Sequence, residues 1–178
     1  MTEPIKPDLS CYPYRRKGVY AVLTVPLLAV LVLVFIYLWS FTPILSLALL
    51  LLYLATCFFQ AYCCAYQDCP YIGGFCPAVT GIMPASWLAK LLYGGKINKS
   101  QRLFNLNASI AAAAMLGMIF LPVYWILKLG VWYTVGYVGF LVLYYLVFLL
   151  SVCPVCAIRG TCPGGKLQEW VFGNERSR

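Results

Sequence analysis

Two long apolar stretches dominate the chain, each interrupted once near its middle. No charged side chain occurs between Lys17 and Asp68, and only Lys128 occurs between Arg102 and Arg159. A helix rises 1.5 Å per residue and needs about 20 apolar residues to cross a hydrocarbon core about 30 Å thick, so each stretch holds two crossings. The pattern predicts spans from Val19 to Trp39, from Ile44 to Tyr62, from Asn107 to Leu127 and from Val131 to Val152. Ser40-Phe41-Thr42-Pro43 is the expected turn of the first pair, because a residue preceding proline is pushed out of the α region. Lys128-Leu129-Gly130 turns the second pair, and Pro26 and Pro122 are expected to kink the helices that contain them.

The organisation read from this pattern is an N-terminal segment (1–18), hairpin 1 (19–62), a connecting loop (63–106), hairpin 2 (107–152) and a tail (153–178). Arg15-Arg16-Lys17 before an apolar run has the outline of a secretory leader. The run exceeds the roughly 7–15 apolar residues of such a leader, and no small-residue cleavage site precedes the second span, so it is read as a retained span.

Composition agrees with the pattern. Of 178 residues, 63% are hydrophobic and 10% charged, with a mean hydropathy of +0.85. Soluble domains carry about 45–50% and about 25%. The expected fold is therefore an all-α integral membrane protein with four transmembrane helices arranged as two hairpins.

The net charge of +8 bears on topology. Lys6, Arg15, Arg16 and Lys17 precede span 1. Lys90, Lys96, Lys99 and Arg102 separate spans 2 and 3, while Arg159, Lys166, Arg176 and Arg178 follow span 4. Every basic residue except Lys128 thus falls on one side, which the positive-inside rule makes cytoplasmic, with both termini there and the protein in the inner (cytoplasmic) membrane. Dispersed along the bilayer, these cations suit anionic lipid rather than nucleic acid. Tyr37, Trp39, Phe41, Tyr124, Trp125, Trp132 and Tyr133 would anchor the outer interface, with Tyr20 and Tyr62 marking the inner one. Pro84 to Gly95 reads as a short amphipathic helix at that interface, with Trp87, Leu88, Leu91 and Leu92 toward lipid and Lys90 snorkelling.

Histidine is absent, which excludes His-ligated haem, mixed Cys/His zinc and Ser-His-Asp chemistry. The five acidic residues lie outside the apolar runs, against an intramembrane carboxylate relay. Nine cysteines remain. Cys57 falls within span 2 as a small packing residue, and Cys11 lies in the N-terminal segment. Seven form two groups on the cytoplasmic face: Cys63, Cys64, Cys69 and Cys76, then Cys153, Cys156 and Cys162. Each group leads from Cys-Ala to Cys-Pro and then Gly-Gly, an approximate repeat that would bring both to one end of the bundle. Cys69, Cys76, Cys153 and Cys162 each precede proline, which is favoured at the first helical position. A helical turn starting there would place the cysteine near free backbone N–H groups that favour thiolate.

Clustered thiols in a reducing compartment point to sulfur coordination rather than structural disulfides. The expected cofactor is an iron–sulfur cluster held by Cys64, Cys69, Cys76, Cys153, Cys156 and Cys162, with Cys63 and Cys11 as extra ligands and zinc as the alternative metal. The pairing of cytoplasmic Cys-Pro motifs with helical hairpins resembles polytopic ferredoxin-type membrane proteins of anaerobic respiration in arrangement. Its cysteine spacing departs from theirs, and no residue is carried over. The expected function is electron transfer at the membrane surface, as a subunit of a respiratory or other redox complex with protein partners and quinone as acceptor. The alternatives are a thiol–disulfide oxidoreductase with Cys153 attacking and Cys156 resolving, a soft-metal transporter using Cys57, Cys63 and Cys64, and a zinc-stabilised scaffold. Tyr66, Tyr71 and Phe75 would shield the cluster or anchor its loop.

Overall fold

The computed structural model describes residues 12–77, 84–94, 100–160 and 162–173, so Cys11 lies outside the described residues. Among these, the chain is helical without strands. Four helices are long and apolar enough to cross a membrane: α1 (Lys17–Trp39), α2 (Pro43–Tyr66), α4 (Gln101–Leu129) and α5 (Val131–Ser151). Two shorter helices, α3 (Pro84–Tyr93) and α6 (Pro163–Phe172), lie outside them.

The helix ends follow local chemistry. Pro43 occupies the start of α2, where its missing N–H costs nothing. One residue, Gly130, separates α4 from α5, and its φ of 137° is open only to glycine. The expected three-residue turn at 128–130 is thus shorter, because Lys128 and Leu129 stay helical. Both helices run through their internal prolines, Pro26 and Pro122. α2 extends four residues past the expected Tyr62, carrying Cys63 and Cys64 into its last turns. α4 begins six residues before the expected Asn107.

The long helices form a ring in which α1 packs on α2, α2 on α4, α4 on α5 and α5 on α1. The interface of α2 and α4 is close because Gly117 opposes Leu52, whose side chain would stand 3.4 Å from a Cβ there. Ser46 donates to the Phe35 carbonyl at 2.9 Å, and Tyr37 Oη donates to the Trp125 carbonyl at 3.0 Å, tying α1 to its neighbours. Side chains facing away from the ring are apolar and exposed, as Val22, Ile44, Phe120 and Trp132 illustrate. Such a surface is stable in lipid and not in water.

α3 packs its small side, Ala85, Ser86 and Ala89, toward α2 and exposes Trp87, Leu91 and Leu92. Leu88 differs from expectation: it is partly buried against the core, on the flank of the Ala85–Ala89 stripe. α6 was not anticipated as a helix. It too exposes apolar residues, Leu167, Trp170 and Val171, while burying Gln168.

Candidate functional site

The C-terminal ends of α2 and α5 and the N-terminal end of α1 meet at one end of the bundle. Arg16 Nη1 donates to the Ser151 carbonyl at 3.2 Å, placing a cation at the negative end of α5. The chain after α2 stops in a Schellman motif: Asp68 N–H donates to the Ala65 carbonyl (3.3 Å) and Cys69 N–H to the Cys64 carbonyl (3.1 Å), with Asp68 at φ 47°. This motif brings its first and last residues together, and here both are cysteines. The Cys64 thiol hydrogen-bonds Cys69, and the Tyr71 N–H adds a second donor to the Cys69 sulfur. Those two donors, the thiol first, hold Cys69 below the ordinary thiol value despite its burial.

The second cysteine stretch is built from consecutive turns. A short 3-10 turn covers Cys153–Val155, Cys156 N–H donates to the Cys153 carbonyl (3.2 Å), and Arg159 N–H to the Cys156 carbonyl (3.1 Å). The Ile158 N–H reaches the Cys156 sulfur, repeating two residues on the arrangement at Cys69 and Tyr71. Burial nevertheless dominates at Cys156 and pushes its thiol up to about 12.

The two stretches touch. Ala157 N–H donates to Tyr71 Oη at 3.1 Å in a buried contact linking residues far apart in sequence. Around it lies a cavity of about 70 Å³ lined by Cys64 and Cys76 from the first stretch and by Cys153, Cys156 and Cys162 from the second, with Gln60 and Arg159 beside them. Cys69 borders this cavity through Cys64 and stands within electrostatic reach of Cys156. Cys63 is half-buried, does not line the cavity, and faces Cys162 and Tyr93 from outside. Cys57 is fully buried in α2, away from the cavity.

Of the four Cys-Pro steps, only Cys162-Pro163 begins an α-helix, with Cys162 as the N-cap of α6. Cys153-Pro154 opens the 3-10 turn, Cys69-Pro70 lies in a turn and Cys76-Pro77 has no helical backbone. The aromatic residues also divide. Tyr71 lines the cavity, Phe75 packs on Tyr14 and Tyr20, and Tyr66 stacks on Phe104 (4.7 Å) and donates to Gln101 (2.7 Å). Tyr14, which stacks on Phe75 at 5.9 Å, stands within electrostatic reach of Cys156 and Cys153, and burial raises its phenol to about 12.

Sequence reasoning missed Gln60, Tyr14 and Arg159. A charged residue three positions after a Cys-x-x-Cys pair was the available signal for Arg159. Among the described residues, no three Cys, Asp or Glu side chains stand close enough to grip one metal ion as placed. Tetrahedral zinc with bonds of about 2.3 Å needs sulfurs under about 4 Å apart. A polynuclear cluster spreads its thiolates over separate irons and needs them wider, whereas Cys64 and Cys69 are within hydrogen-bond reach of each other. The donors lining the cavity are the sulfurs of five cysteines, with Gln60 and Arg159 among them. No protein family, curated protein or solved structure matches this chain, so the reading rests on its own residues.

Proposed function

We propose that this protein is a membrane-embedded electron-transfer protein whose sulfur-lined pocket holds an iron–sulfur cluster. The observation that carries the reading is the cavity itself, to which both cysteine stretches contribute sulfur. Ligands come from Cys64, Cys69, Cys76, Cys153, Cys156 and Cys162. Tyr71 covers the pocket, and the Tyr71 and Ile158 amides donate to ligand sulfurs, which tunes the potential. When bound, the cluster supplies a one-electron couple.

The distribution of basic residues supports a cytoplasmic placement for this end, with α3 lying along the bilayer through Trp87, Leu91 and Leu92. Electrons then pass between a partner at the cytoplasmic surface and an acceptor in the membrane such as quinone, within a larger redox complex. A second reading, thiol–disulfide exchange, draws support from the Cys64–Cys69 hydrogen bond, which holds Cys69 below the ordinary thiol value.

Metal and sulfide analysis with a visible spectrum, on protein purified in detergent without oxygen, tests the proposal. Iron and acid-labile sulfide in near-stoichiometric amounts are expected, together with a broad visible absorption lost in a C64S/C153S variant. Metal-free protein that exchanges disulfides through Cys64 and Cys69, or through Cys153 and Cys156, would replace the cluster with thiol chemistry. Zinc alone would leave a structural site.

A further inference from the structure

Among the described residues Arg159 is the one cation lining the sulfur pocket, and its ion pair with Glu169 leaves two of its nitrogens without a hydrogen bond. The residue is only 5% exposed, and its Nε and Nη2 atoms have no hydrogen-bond partner. The carboxylate paired with it, that of Glu169, is one-third exposed and stands 3.9 Å from Nη2, a long ion pair outside hydrogen-bond reach. A buried guanidinium with idle donors carries a desolvation cost that an anion in the pocket would offset.

The N-terminus of α6 forms the adjoining wall. Lys166 N–H donates to the Cys162 carbonyl at 3.0 Å, which leaves the amides of Gly164 and Gly165 without an acceptor inside the helix. The Cys162 side chain does not cap them. Both glycines line the pocket, and a Cβ on Gly164 would lie 3.9 Å from the sulfurs of both Cys153 and Cys162. Gly165 packs so closely on the Arg159 backbone that a Cβ there would collide with it. The chain has thus set the positive end of a ten-residue helix against the sulfurs of Cys153 and Cys162, with the incompletely partnered guanidinium of Arg159 in electrostatic reach of Cys153.

We propose that Arg159 and the N-terminus of α6 form an anion-binding wall of this pocket, whose ligand is a compact, multiply charged anion. Two sources share that chemistry. One is a thiolate-ligated iron–sulfur cluster, and this source rests on the function proposed above. The other is a free oxyanion, for which inorganic phosphate is the probe. In the first case the wall sets the reduction potential, since positive charge favours the more negative, reduced state.

The test uses the full chain purified in detergent without oxygen, as wild type, R159Q, R159K and the exposed control K166Q, with helix content checked by circular dichroism. In iron-bearing protein, R159Q is expected to shift the one-electron equilibrium at least tenfold toward the oxidised form, about 59 mV to lower potential. R159K should shift it by about threefold, because the charge stays while the guanidinium fork is lost, and K166Q should leave it in place. In iron-free protein, phosphate is expected to raise the melting temperature of wild type and K166Q but, at tenfold higher concentration, of R159Q. That result would end the electron-transfer reading and keep the wall. Iron-bearing R159Q with a wild-type potential overturns the proposal, as does iron-free wild type that phosphate does not stabilise. Should R159Q fail to fold, R159K decides by the same readings.

Discussion

The two ends of the bundle finish the same four apolar helices in opposite ways. At one end the connections are as short as the backbone permits, with Pro43 opening α2 and Gly130 alone joining α4 to α5. Aromatic rings fill that end: Phe41 lies 5.2 Å from Trp125, Tyr37 donates to the Trp125 carbonyl, and Lys128 sits 4.3 Å over the Trp125 ring. The other end carries the long connections, the buried cysteines, and Arg159, Gln60, Gln168 and Tyr14, each with a buried polar atom left unpartnered. An orphaned buried polar group costs about 1–3 kcal/mol. One end is therefore finished for stability, while the other keeps polar atoms on Gln60 and Arg159 whose cost a group bound in the cavity would offset.

The widest contrast to test lies within the cysteine end. In metal-free protein, Cys69 should lose its proton at lower pH than an ordinary thiol, and Cys156 should hold its own to about 12. Thiolate absorbance followed with rising pH should lose its earliest step in C69S and keep it in C156S; the reverse would remove the asymmetry between Cys69 and Cys156. Next, G165A should destabilise by about 3 kcal/mol, the upper range for overpacking, because the added methyl meets Arg159 backbone that cannot rotate away. Thermal melting in detergent reads the loss, and maleimide labelling of Cys153 and Cys162 should rise with it. Y71F should cost about 2 kcal/mol by leaving the buried Ala157 N–H without its acceptor, and should loosen the cysteine end alone. At the far end, Y37F removes one hydrogen bond and should cost about 1 kcal/mol. K128Q removes an exposed cation from two rings and should cost about 0.5 kcal/mol. Both should leave cysteine labelling as in wild type; a rise would mean that the ends are coupled.

The spans were legible because a bilayer imposes one simple requirement, about 20 uncharged residues, and Lys17, Asp68, Arg102 and Arg159 punctuate the chain accordingly. Helix ends were less so. Nothing before Gln67 and Asp68 stops α2, so it continues through Cys63 and Cys64, and only the left-handed Asp68 terminates it. That single geometric fact pairs Cys64 with Cys69, and apolar patterning carries no trace of it. The cysteines announced themselves by residue type. Their non-sulfur companions did not, because Gln60 reads as a chance polar residue in a span, Tyr14 as part of a loop and Arg159 as a topology signal. α6 was hidden by its two glycines, which weaken helix propensity but allow the close approach to Arg159.

The one-residue link at Gly130 has a mechanical meaning. α5 extends about 30 Å from it, at 1.5 Å per residue, so a tilt of about 1° at that pivot displaces its far end by about 0.5 Å. The helices act as tines joined at the base of a fork. Small changes in bilayer thickness or lateral pressure, felt along the whole tine, would be delivered as changes in spacing between Cys153 and the sulfurs carried by α2.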